Sequence, residues 1–235
     1  MQTVEELDNA FEALRIETPP ATLREIALER LRRAIIIGLF EPGARLIERK
    51  LCEQLGVSRS VIREVIRHLQ AEGLVEVIGR QGPIVTRLNW TDAAQIYDIR
   101  AALESRAVED CARCIDKALK TQLAEALDEI DRKAAAQNPL GILDATTRFY
   151  QLIFSASGHL IAWDIVSRLN SRISRLRVMT LSTPERTRQG PAQIRMIFNA
   201  IVAADAQAAG VACRAHIKAA AHVAQQLLSE GKLPI

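Results

Sequence analysis

Aromatic side chains are scarce in this 235-residue chain: five Phe, two Trp and two Tyr, or 4% of the whole. A core built on stacked rings is excluded. The abundance of alanine points instead to helices packed through small and branched aliphatic side chains. Cysteine is scarce as well. Cys52, Cys111, Cys114 and Cys213 are too few and too scattered for a disulfide framework. Cys111 and Cys114 do form a CxxC, but inside the helical run ALESRAVEDCARC, with no second CxxC and no strand-and-turn setting. They read as ordinary helix residues rather than redox groups or metal ligands. No stretch reaches the 18 apolar residues of a membrane span. The amino terminus also lacks the cationic-then-apolar pattern of a secretory signal. A cytoplasmic protein without a membrane partner is expected. A surplus of one charge is missing too: 31 basic and 28 acidic residues leave a net +3, which excludes a strong field over the whole molecule.

What is present is unevenly distributed. Residues 1–20 are mixed in polarity and end in Pro19-Pro20, so they read as an N-terminal arm. Residues 21–89 form a first domain, in which Arg24 to Arg87 holds 12 basic and 8 acidic residues. Thr22 with Glu25 three residues on is a capping box for a helix that Gly38 would stop. Arg49 to Leu55 reads as a short helix ended by Gly56. Ser58 caps a further helix running to about Glu72 before Gly73. Leu74–Ile78 and Ile84–Leu88 read as two strands joined by Gly79-Arg80-Gln81-Gly82. Residues 90–230 form a second, all-helical domain. Its periodicity predicts six helices near 92–112, 115–135, 140–156, 159–180, 190–208 and 211–229, with Gly210 among the breaks and a loose tail from Gly231.

Helix, tight turn, helix and hairpin are the outline of a winged helix-turn-helix, which sets its second helix in a DNA major groove. In LIERKLCEQLGVSRSVIREVIRHLQAEGLVEVIGRQGPIVTR, Arg59, Arg63 and Arg67 recur every four residues and share a face, while Ile62, Ile66 and Leu69 lie on another. Reading DNA takes long donors aimed at base edges, plus cations and small donors on phosphate. Arg49, Arg59 and Arg63 supply the first, Ser58 and Ser60 the second, and Arg80 at the wing tip can enter a minor groove. The plainer reading of these arginines is a solvated helix face. The helical domain shows no concentrated acid–base pair, catalytic metal set or glycine-rich nucleotide loop, so no catalytic residue, enzyme activity or cofactor is expected.

SRSVIREVIRHLQAEGLVEVIGRQG resembles the DNA-binding signature of the GntR superfamily of bacterial transcriptional regulators, whose usual form begins SRTPVREAL. Ser60, Val61 and Ile62 depart from that form, and Arg59, Arg63 and Glu64 keep it. IIIGLFEPGARLIERKLCEQLGV resembles the preceding stretch. YDIRAALESRAVEDCA, FYQLIFSASGHL and AIVAADAQAAGVACRAHI resemble parts of the FCD ligand-binding domain of the FadR-like branch, and a count of six helices would place the chain in the VanR-like subgroup. The resemblance implies a homodimer on double-stranded DNA with an inverted-repeat operator, repressing metabolic genes. It also implies a small-molecule effector, most simply an organic acid, whose binding alters the spacing or mobility of the two reading heads.

Many such domains hold a divalent metal on an aspartate, a histidine four residues later and two further histidines. Laid onto this chain, those positions are Thr146, Tyr150, Ile194 and His216. Asp144 does not replace the aspartate, since its i+4 neighbour is Arg148. One imidazole cannot hold zinc or nickel, so no metal is expected. Thr146, Tyr150 and His216 are left as hydrogen-bonding groups for an anionic effector, with Arg100 as the compensating charge; Arg172 and Arg175 read as surface cations outside the site. A tyrosine or histidine in a helical interior also serves simply to satisfy a buried neighbour. Two alternatives stay open: an architectural DNA-binding protein without an effector, and a metabolite-processing enzyme.

Overall fold

The computed structural model describes residues 22–230; the expected arm and tail lie outside the described residues. The fold is mainly α. α1 (Leu23–Ile36) opens with the anticipated capping box: the Thr22 hydroxyl accepts from the Glu25 N–H and the Glu25 carboxylate accepts from the Thr22 N–H. It stops before Gly38, at φ +86°. α2 (Glu48–Leu55) ends on Gly56 in the left-handed conformation, which a side chain would strain. α3 (Arg59–Ala71) starts on Ser58, whose hydroxyl accepts from the Val61 N–H. Arg32 of α1 clasps Glu72, the C-cap of α3, through two hydrogen bonds of 3.0 and 2.6 Å.

The wing is shorter than its sequence suggests. β1 (Val75–Ile78) pairs antiparallel with β2 (Gly82–Val85), in a register from Val75 opposite Val85 to Ile78 opposite Gly82. The expected second strand at 84–88 starts two residues early, because a one-turn 3₁₀ segment (Gly79–Gln81) reverses the chain. Arg45 adds a bridge to Ile84. Ile62, Val65, Ile66 and Leu69 of α3 pack with Leu31, Ile35, Leu46, Leu51 and Val85 into one core. This is the inward face that the spacing of α3 anticipates.

The second core is larger and all-helical. It is built from α4 (Trp90–Arg113), α5 (Lys117–Ala135), α6 (Pro139–Ala156), α7 (Leu160–Arg172), α8 (Ser174–Leu181), α9 (Pro184–Val202) and α10 (Ala206–Ser229). The stretch expected as one helix at 159–180 breaks at Ile173 (φ −104°, ψ 12°) into α7 and α8, which gives seven segments instead of six. The helix expected at 190–208 runs from Pro184 to Val202. Thr183 caps it, and Pro191 lies inside it rather than opening it. The true break is Ala203 to Asp205, with Ala204 at φ +55° and Asp205 capping α10. Gly210 therefore lies within α10. A Cβ there would stand 2.0 Å from Glu109 Oε1, so this glycine permits the close approach of α4 and α10 rather than ending a helix.

The two cores meet along α8 and the end of α7. Arg175 Nη1 donates to the Phe40 carbonyl at 3.0 Å, and Arg172 lies across Gly73. Arg33 of α1 forms an ion pair with Asp144 of α6 at 3.3 Å.

Candidate functional site

Two surfaces carry chemistry. On the first, α3 presents Arg59, Arg63 and Arg67 outward, each exposed, because the buried residues of the helix occupy its opposite side. Ser58 and Ser60 are exposed at its start, with their hydroxyl oxygens 2.8 Å apart. Ser58 already serves as the cap, so Ser60 is the freer donor. Arg49 is paired with Glu53 at 2.7 Å and Arg63 with Glu48 at 3.0 Å, all on the surface. Such exposed pairs hold weakly and can exchange for phosphate. Arg80 lies in the 3₁₀ turn at the wing tip, and its side chain is outside the described part of the structure. Arg45, which sequence reasoning passed over, is an exposed cation brought beside the wing by its bridge to Ile84.

The second surface is internal. α4, α6, α8, α9 and α10 enclose a cavity of about 40 Å³, into which Arg100, Thr146, Arg177, Arg186, Ile194 and His216 converge. A wider groove of about 600 Å³ lies between α1, α5 and α6, but it is open and its charges include Arg33 with Asp144 and Lys133 with Glu129, already paired. The enclosed cavity is the better ligand site, because charge is worth more where water is excluded.

Spacing explains its lining. Arg100 and Glu104 are one turn apart on α4 and form a buried pair, Nε to Oε1 2.7 Å, with the Arg100 guanidinium also 5.4 Å from the Tyr97 ring centroid. Burial opposes the Arg100 charge, but Glu104 outweighs it and raises the basicity of the group. Arg186 is held in the first turn of α9 by the Thr183 cap, which accepts from its N–H. It is 2% exposed. Its Nη1 donates to Gln193 Oε1 at 2.6 Å, its Nη2 lies 3.5 Å from His216 Nδ1, and its Nε has no partner. His216 Nδ1 also lies 3.2 Å from Gln193 Oε1. Burial, then Arg186, Arg100 and Arg177, push His216 well below the ordinary histidine range, so it is neutral. Arg177 of α8 is partly buried. Burial and then Arg100 bring it down to about 10, leaving it cationic near neutrality.

Arg100, Thr146 and His216 thus share one cavity. The fourth anticipated residue, Tyr150, is buried next to it with its hydroxyl 3.7 Å from Cys213 Sγ. Arg177 and Arg186 were not anticipated: Arg186 sits among polar residues that look like a solvated helix face, and Arg177 lies in the mixed run SRLRVMTL, which shows no clear inward face; only the packing shows them turned inward. Thr146, Tyr150, Ile194 and His216 make a poor donor set for a divalent metal, and a guanidinium stands against the single imidazole. Among the described residues, no three His, Cys, Asp or Glu gather as a metal site. Cys111 is buried and pushed up to about 12 by that burial, whereas Cys114 is exposed, so the CxxC is not arranged as a reactive pair.

This architecture has known counterparts. The profile of the bacterial regulatory proteins of the gntR family matches residues 23–85, and that of the FCD domain matches residues 95–219. The chain belongs to the GntR family. It is a transcriptional regulator with an FCD domain. Among curated relatives, the uncharacterized HTH-type transcriptional regulator YdhC of Bacillus subtilis strain 168 is 29% identical over 203 residues, covering 86% of this chain and 91% of its own. The HTH-type transcriptional repressor RspR of Escherichia coli K12 is 26% identical over 204 residues, covering 85% and 88%. Among solved structures, E. coli McbR/YncC superposes with a TM-score of 0.76 at 22% identity, over 88% of this chain and 99% of that one. Among the described residues, no helix of this GntR-family chain is long and apolar enough to cross a membrane.

Proposed function

We propose that this GntR-family regulator is a metabolite-responsive repressor that works as a homodimer in the cytoplasm. Each copy sets α3 in the major groove of one half of an inverted repeat, with Arg59 and Arg63 toward base edges and Ser60, Arg49 and Arg45 toward phosphate. Within the family we place it in the FadR-like branch. The VanR-like subgroup is the reading that follows if Leu160–Arg172 and Ser174–Leu181, separated only at Ile173, are taken as one interrupted helix. Repression is favoured by the likeness to RspR, a repressor by its name. An organic acid entering the helical cavity is the effector we assign.

The observation that carries this reading is the position of α8. Arg177, Thr180 and Leu181 line the cavity, while Arg175 and Leu176 of the same eight residues reach the DNA-binding module. An anion that draws Arg177 inward shifts the helix that holds the Phe40 carbonyl. Release of DNA then requires that the effector bind the shifted form more tightly than the DNA-bound form.

The test is to incubate the purified protein with fragmented DNA of its source genome and sequence what is retained. Sharp peaks sharing an inverted repeat are expected, near genes for enzymes or transporters. Broad, salt-sensitive recovery with no shared motif would replace this reading with architectural binding. Turnover of a metabolite in the cavity would replace it with catalysis.

A further inference from the structure

The cavity is electrically unbalanced. Three guanidiniums, those of Arg100, Arg177 and Arg186, meet there, and the buried carboxylate they face is Glu104. Glu104 is committed to Arg100. The Arg177 guanidinium makes no ion pair or hydrogen bond among the described residues. Arg186 is bonded only to the neutral Gln193 and His216, with its Nε unpartnered and almost wholly out of water. Its nearest carboxylate neighbour, Glu185, is exposed on the outside of the helix. Arg186 also stands in the first turn of α9, where the helix dipole adds to the cost of a cation. One wholly buried cation, Arg186, and one partly buried cation, Arg177, in excess of the carboxylate are costly unless something neutralises them.

The available space limits what that can be. A cavity of 40 Å³ holds about three waters, or roughly 90 Å³ of liquid. That admits an anion of about the size of phosphate, takes a short dicarboxylate only with small shifts of the lining side chains, and excludes an acyl chain or an aromatic acid.

We propose that the cavity binds, without any metal, a small dianion whose two negative charges are held by Arg177 and Arg186. Guanidinium forks match both carboxylate and phosphate oxygens, so a short dicarboxylate and inorganic phosphate share the required chemistry. Thr146 supplies a hydroxyl donor, and neutral His216 can donate or accept without adding charge. This assignment rests on reading the cavity as the effector site.

The test is calorimetric and thermal-shift titration of the full-length protein in the presence of a chelator, at constant ionic strength. Malonate, succinate and inorganic phosphate are the dianionic probes, and acetate and propionate the monoanionic ones. Saturable stabilisation by at least one dianion is expected, with malonate against phosphate distinguishing carboxylate from phosphoryl recognition. The monocarboxylates should give none. Arg177→Gln should weaken binding at least ~30-fold, the loss of one buried charge-assisted contact. Arg186→Met should abolish it while raising the melting temperature of the ligand-free protein, since it removes an uncompensated buried cation. Arg177 is only partly buried, so Arg177→Gln decides the matter if Arg186→Met fails to fold. Acetate matching the dianions, no response to any dianion, a response that appears only with added zinc or nickel, or unchanged affinity in Arg177→Gln overturns the proposal. Sharp operator recovery with no dianion response overturns this inference alone. A dianion response with no operator leaves it standing and removes the regulator reading.

Discussion

Gly73 ends α3 with φ +75°, and Arg172 from the other core lies across it so closely that a Cβ would stand 2.4 Å from Arg172 Cγ. Two constraints act on one atom that is not there: a left-handed backbone and a neighbouring side chain. Gly73→Ala should lower the unfolding free energy by about 1–3 kcal/mol, read as a fall in the urea midpoint. His216 makes a second prediction at this scale. Its folded-state pKa lies well below its unfolded one because burial and then the surrounding arginines disfavour the imidazolium. The unfolded chain therefore takes up a proton first as the pH falls through the ordinary histidine range. Stability present above about pH 6.5 is lost below it, by up to about 1.4 kcal/mol per pH unit. Denaturation midpoints between pH 7 and 5 should show this slope, and His216→Gln should flatten it.

At the scale of the element, α3 is held in a resting arrangement. Glu48 at the start of α2 occupies Arg63 with an exposed ion pair. Glu48→Gln should tighten operator binding by about 0.5–1 kcal/mol, by freeing Arg63 and removing a charge that repels phosphate. A filter-binding or anisotropy titration over several salt concentrations would measure it, and weaker binding in the variant would remove Arg63 from the contact set. The helix boundaries of this module were legible where one residue has one job, Thr22 and Ser58 as caps and Gly38, Gly56 and Gly73 at positive φ, whereas the second wing strand, which lacks such a mark, was placed two residues late. The end of the bundle was less legible. Gly190-Pro191 looks like a breaker but lies inside α9, and Gly210 looks like a stop but is a contact point, because the same residue types serve to end helices and to let them approach. The cavity was half legible. Arg100, Thr146 and His216 were reached through the family resemblance, whereas Arg177 in the mixed run SRLRVMTL and Arg186 among polar neighbours carry no such mark, and their inward turn is a product of tertiary packing.

For the molecule as a whole, the two cores are joined by a small apolar contact around Leu176 and by two polar, directional ones. Arg175 donates to a backbone carbonyl of the DNA-binding module, and Arg33 pairs with Asp144 beside an open groove. Arg175→Ala should cost about 1 kcal/mol of stability through the lost hydrogen bond. Its larger effect should be on communication. Operator affinity measured with and without a saturating dianion should differ less than in the unmodified protein, where coupling of about 1–3 kcal/mol is ordinary. An unchanged ratio would place the coupling elsewhere, with the Arg33–Asp144 pair the next candidate. α8 itself is eight residues long, about 12 Å from end to end, and a helix of that length does not hold its shape unaided. Its conformation is set by what it touches on both sides. The chemistry the cavity accepts and the posture of the DNA-binding head are therefore inherited together. A genetic selection for altered inducer preference should return substitutions across Ser174 to Leu181 that also change basal expression, and a lineage that retunes one property will keep retuning the other.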